Sequence, residues 1–133
     1  MAQLAQLDPI APRDEGRKTF IEQAIMAGHC WIATGVDDQA LLLGYGILNH
    51  SFFEQNSIAL VVVKENVRRR GVATALIKAL EAQCCGSKVF TSTNASNMPV
   101  RGLLDRLGYI ESGRIENLEV GDSELVFVKL IAS

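Results

Sequence analysis

Two spacings of apolar residues alternate along the chain. From Asp14 to Ala27 they recur at helical intervals, with Phe20, Ala24 and Ala27 on one side, Ile21 beside them and Gly28 as the stop. Cys30 to Thr34 reads as a strand, Val36 to Gln39 as its turn and Ala40 to Leu48 as the returning strand. His50 to Asn56 reads as a connection, and Met1 to Pro12 as an irregular lead-in or a short edge strand. Ser57 to Val63 is a continuous apolar run, which predicts a strand buried on both faces. After a polar elbow, Lys64-Glu65-Asn66, the residues Ala73, Leu76, Ile77 and Leu80 again fall at helical spacing, and that helix ends near Gly86. Lys88 to Thr93 is a further strand. Asn94 to Asn97 offers capping side chains and Pro99 suits a first turn, so Val100, Leu103, Leu104 and Leu107 predict a third helix, ended by Gly108. A closing hairpin runs from Tyr109 to Glu116, turns near Val120-Gly121-Asp122 and returns from Glu124 to Ile131.

This order predicts an α+β fold in one domain spanning residues 1–133: a mixed, mostly antiparallel sheet with helices on both faces. The strand–helix–strand unit from Ser57 to Thr93 makes its two strands parallel neighbours or nearly so. A chain of 133 residues with 48% hydrophobic content fills one core. The formal net charge of −2 gives no general attraction to nucleic acid or anionic lipid. No segment is long and apolar enough to span a bilayer, and the first residues lack the pattern of a signal peptide. Cys30, Cys84 and Cys85 form neither a disulfide framework nor a zinc spacing, so reduced thiols, a cytoplasmic setting and no metal are expected.

In so acidic a chain, Arg68, Arg69 and Arg70 stand out. They sit where a strand turns into a helix whose first turn, with Gly71 and Ala73, is stripped of bulk. A helix N-terminus presents unpaired N–H groups and partial positive charge. Small residues let an anion approach them, and the arginines add full charge. Arg68 to Thr74 therefore reads as a pocket for a phosphate or pyrophosphate, against the blander reading of a solvated basic turn.

The same run, V-K-E-N-V-R-R-R-G-V-A-T-A-L-I, resembles the acyl-CoA-binding segment of the GNAT superfamily of N-acetyltransferases. The family pattern is Gln or Arg, two residues, Gly, one residue, Gly or Ala, matched here by Arg68, Gly71 and Ala73. N-A-S-N-M-P-V-R-G-L-L-D-R-L-G-Y, from Asn94 to Tyr109, is similar to the second signature of that family. The resemblance runs from about Leu41 to the C-terminus, whose last residues look like a bacterial subgroup with poorly defined acceptors.

The resemblance implies acetyl transfer from acetyl-CoA to a primary amine, carried by a small molecule or a peptide, through direct attack in a ternary complex. It implies that the diphosphate of coenzyme A lies on the backbone N–H groups from Arg69 to Thr74, Val72 among them, with the Thr74 hydroxyl as a further donor and one arginine near the 3′-phosphate. It implies a bulged strand Ser57–Val63 splayed from Lys88–Thr93. The main chain of Val62 and Val63 then pairs with the pantetheine amides and the thioester carbonyl, the Val63 contact stabilising the oxyanion. Asn97 matches a pantetheine contact, and Asn94 lies beside it; both also read simply as helix caps. Leu104 departs from the family, which often has a tyrosine acid there. Tyr109 and Trp31 read as core. His50 and Glu54 are candidates for the general base, though each also reads as an ordinary loop residue. Glu116, Glu119 and Asp122 suit a cationic acceptor if they are more than solvated charges. A homodimer through the C-terminal strands follows by analogy, and a non-catalytic CoA or acyl-CoA sensor is the alternative function.

Overall fold

The computed structural model describes residues 15–35, 37–38, 41–68 and 71–131. The lead-in Met1–Pro12, the turn residues Val36 and Gln39, and Arg69 and Arg70 lie outside the described residues. In chain order the elements are α1 (Glu15–Met26), β1 (Cys30–Thr34), β2 (Leu42–Phe52), β3 (Gln55–Val63), a 3-10 turn (Glu65–Val67), α2 (Val72–Ala82), β4 (Lys88–Asn94), α3 (Met98–Arg106), β5 (Ile110–Ile115) and β6 (Glu124–Leu130). The strands form one sheet in the order β1-β2-β3-β4-β6-β5. Strands β1 and β2, β4 and β6, and β5 and β6 pair antiparallel, whereas β3 and β4 pair parallel. The strand–helix–strand crossing had implied that parallel pair.

The chain divides into two compact units, each drawing on β2 and β3. The first comprises Met1–Leu48 and Leu60–Ala82. Its core joins Ile21 and Ala24 of α1 to Tyr45 and Ile47 of β2 and Val62 of β3. The other face of β2 carries Gly44 and Gly46, and α2 lies against them. A Cβ at Gly44 would stand 2.7 Å from the Val62 carbonyl oxygen and 3.2 Å from Leu76 Cδ1; one at Gly46 would stand 2.8 Å from Leu80 Cδ1. Alternate residues of a strand face opposite ways, so α1 and α2 cover opposite faces here. The glycines admit α2 close to the backbone, and Leu76, Ile77 and Leu80 are buried as the helical spacing requires.

The second unit comprises Asn49–Ala59 and Gln83–Ser133. Its β3–β4 ladder pairs Ser57 with Phe90 and Ile58 with Thr91, and the Thr91 hydroxyl donates to the Ile58 carbonyl at 2.9 Å. Asn56 is buried, and its amide nitrogen donates to the carbonyls of Cys85 (2.6 Å) and Lys88 (3.0 Å), fixing the entry to β4. Leu104 and Tyr109 are core, with the Lys129 ammonium 5.7 Å from the Tyr109 ring centroid.

Three expectations are corrected. His50 to Asn56 is not a connection: β2 continues to Phe52, β3 begins at Gln55, and the turn is Phe53-Glu54 alone. Both turn residues have positive φ, 51° and 61°, as a two-residue type I′ hairpin turn requires. Second, β3 is not buried on both faces. Asn56, Ile58 and Val62 are buried, while Ala59 is exposed and Val61 and Val63 are half-buried. Third, α1 buries Ile21 and Ala24, leaving Phe20 and Ala27 exposed, so its inner face is turned from the expected one.

Candidate active site

The end of β3, the elbow and the start of α2 all belong to the first unit. Lys64 leaves the strand by donating its N–H to the Leu43 carbonyl at 2.8 Å. In an antiparallel ladder the inward and outward peptide groups alternate, so the N–H and C=O of Val63 turn away from β2 while those of Val62 turn toward it. The Val63 carbonyl accepts from Arg68 Nε at 3.3 Å, from a side chain that is otherwise exposed. Between them the chain makes one 3-10 turn, with the Val67 N–H donating to the Lys64 carbonyl at 3.0 Å.

Gly71 has φ +82°, and a Cβ built there meets nothing within 4 Å. Its carbonyl accepts the N–H of Ala75 at 3.0 Å, which makes it the residue before the first helical turn. The N–H groups of Val72, Ala73 and Thr74 have no hydrogen-bond partner among the described residues. The backbone here needs the left-handed region, which glycine enters without strain, and the space beside it is open. A helix of 11 residues thus begins with three donors that have no partner among the described residues.

The second unit carries the other predicted residues, and it treats them differently. Asn94, the last residue of β4, donates its amide to Glu119 Oε2 at 3.0 Å. Asn97 caps α3, its Oδ1 accepting the Val100 N–H at 3.3 Å. Ser92 Oγ donates to Glu124 Oε2 at 2.7 Å, and the Ser96 N–H and hydroxyl both donate to Asp122. Ser123 Oγ donates to both oxygens of Glu116, at 2.8 and 2.9 Å. The acidic loop thus has a structural use that charge alone did not reveal: its carboxylates accept from serine and asparagine side chains. Leu104 is 3% exposed and packs as core.

His50 and Glu54 belong to the second unit. Glu54 forms the turn before β3 and His50 stands on β2 two residues short of Phe52, whereas Val63 ends β3. Arg68 is brought to Val63 by its Nε hydrogen bond. The tether from Arg68 to Val63 and the close approach at Gly44 escaped the sequence reading. The alternation G-Y-G in β2 was the available signal for the second.

With this geometry in view, the sequence matches the profile of the Acetyltransferase (GNAT) family over residues 1–109. The chain belongs to that family. Among solved structures, a GNAT-family acetyltransferase of Bacillus cereus is similar at 28% identity and a TM-score of 0.86, over 98% of this chain and 89% of that one. Naa20 of Chaetomium thermophilum, solved with a bisubstrate analogue, is similar in fold at 16% identity and a TM-score of 0.71, over 85% and 72% of the two chains. A chain of the NatC complex bound to Gag peptide and CoA is similar in fold at 12% identity and a TM-score of 0.67, over 85% and 79%. No curated protein sequence matches the chain.

Proposed function

We propose that this protein transfers the acetyl group of acetyl-CoA to a primary amine by direct attack within a ternary complex. The observation that carries the reading is the set of N–H groups at Val72, Ala73 and Thr74 that have no partner among the described residues, beside the open left-handed Gly71. A diphosphate supplies the acceptors these donors lack, and Arg68 adds charge at the same place. The binding of CoA in the NatC complex is in keeping with this assignment. Arg69, Arg70 and the Thr74 hydroxyl are further phosphate contacts in the proposal, and Asn94 and Asn97 line the pantetheine arm.

The outward N–H of Val63 is the oxyanion donor in this scheme, and the outward orientation of its peptide group supports that role. The amine nitrogen bonds to the thioester carbon, the C–S bond breaks, and sulfur leaves with the electron pair. A thiol has a pKa of about 8.5, so the thiolate leaves without a tyrosine acid and takes its proton from water. This fits Leu104, which has no proton to give. The amine loses its proton to solvent. An α-amine, with a pKa of about 8, needs less help than a lysine at about 10.4, so a substrate with a weakly basic amine suits a reaction in which solvent takes the proton.

We further propose a homodimer through the C-terminal strands. Strand β5 is exposed along its whole length, and Ile110 (63% exposed) partners Val128, which partners Phe90. Phe90 meets Phe52, whose ring lies 4.9 Å from that of Phe53, so one face of the second unit carries a continuous apolar row. Light scattering on wild type and Ile110→Glu tests it, a dimer for the first and a monomer for the second being expected.

The test of the catalytic reading is thiol release from acetyl-CoA over a panel of amines, amino acids, polyamines and peptides. Release that depends on one acceptor class is expected. Tight CoA binding without release for any acceptor would overturn catalysis and leave a binding module.

A further inference from the structure

Arg68 makes a contact that its charge does not require. It donates through Nε to the Val63 carbonyl, while its terminal nitrogens have no partner among the described residues. The adjoining N–H, that of Lys64, is held by Leu43. The single peptide group between Val63 and Lys64 is therefore gripped at both ends, its N–H by β2 and its C=O by Arg68. That grip fixes the last turn of direction in β3 before the elbow and keeps the strand from fraying into the 3-10 turn.

We infer that Arg68 is a positioning residue: its Nε holds the Val63–Lys64 peptide in the orientation the pantetheine arm requires, while its terminal nitrogens face the phosphates. The inference rests on the coenzyme A reading above. Arginine suits the double task because Nε and the two terminal nitrogens diverge in one rigid plane. Lysine carries its three donors on one nitrogen at the end of its stem, so it cannot span the separation between Val63 and a phosphate that the divergent guanidinium nitrogens cover. Glutamine carries its amide nitrogen the same number of bonds from Cα as arginine Nε. It keeps the bond to Val63 and loses the charge and the terminal donors.

Charge and positioning therefore predict opposite rankings of the two substitutions. The experiment titrates wild type, Arg68→Gln, Arg68→Lys and Arg68→Ala with CoA by calorimetry. It repeats the series with 3′-phosphoadenosine 5′-diphosphate, which has the diphosphate and no pantetheine arm. For CoA the expected order is Arg, then Gln about threefold weaker, then Lys and Ala weaker by about tenfold or more. For the armless ligand the order of the two variants reverses, Lys binding better than Gln, because only charge then counts.

The same order of Lys above Gln for both ligands would overturn the inference in favour of charge alone. Gln and Lys both falling to the level of Ala with both ligands would overturn it in favour of general support of the elbow. Wild type that fails to bind CoA overturns the coenzyme A reading itself, and is distinguished from both before any variant is made. Arg68 is exposed, so the core is untouched by these changes. If Arg68→Ala does not fold, the ranking of Gln and Lys still decides.

Discussion

The junction of β3 with α2 and the C-terminal end of β4 with its acidic loop are equally polar and use their polar groups in opposite ways. At the junction three helix N–H groups and the ends of a guanidinium have no partners among the described residues. At the end of β4, Ser92, Asn94, Ser96 and Ser123 each donate to a carboxylate of the chain itself. Unspent donors are the mark of a ligand site, because a satisfied hydrogen bond gives a ligand nothing to replace. The carboxylates of the loop shape the second unit; in the proposed function the amides of α2 serve a ligand.

The largest expected effect tests how the open junction is supported. Gly44→Ala places a Cβ against the Val62 carbonyl, and backbone cannot step aside, so a loss of about 1–3 kcal/mol in denaturant unfolding is expected. Gly46→Ala meets only the end of the Leu80 side chain and should cost less. Equal losses would mean that the β3 backbone beside Gly44 yields as readily as the Leu80 side chain beside Gly46. Next, Gly71→Val forces a branched residue into φ +82° and fills the open space, so CoA affinity should fall about tenfold or more, with about 1–2 kcal/mol of stability. Unchanged affinity would remove the distinction between the two regions.

Sharpening the comparison from the closed side, Asp122→Ala frees the Ser96 N–H and hydroxyl and should cost about 1 kcal/mol of stability while CoA affinity stays within about twofold. A large loss of affinity there would make the acidic loop part of the binding site. The smallest effect concerns Cys30. Burial pushes its thiol above the ordinary value near 9.0, so the folded chain holds that proton more tightly than the unfolded chain does. The resulting stability is complete below the unfolded value and is lost as pH rises through the folded one, above about pH 9. Melting between pH 7 and 10 should drop slightly more for wild type than for Cys30→Ala, and Cys85, which is exposed, should react with a thiol reagent before Cys30.

What the sequence revealed followed its periodicities. The helices over Leu76–Leu80 and around Leu104 rest on spacing that packing obeyed. The β2–β3 turn escaped because Phe53 and Glu54 take the left-handed conformation that glycine or asparagine usually announces, and because Asn49, His50 and Ser51 interrupt the apolar run while β2 continues. The phase of α1 was misread because Phe20 is larger than Ile21 yet lies outside the core. At the site, the glycine and the small first turn were visible as residue types. The tether from Arg68 to Val63 was not, since no pattern of types encodes which nitrogen of an arginine turns back on its own strand.

The central claim is tested most directly by following the backbone amide resonances of Val72, Ala73 and Thr74 as CoA is added. If these donors hold the diphosphate, their signals shift with saturation and the same three shift with 3′-phosphoadenosine 5′-diphosphate. CoA that binds while these amides stay unmoved, or chain amides that never respond up to about 1 mM ligand, would contradict it.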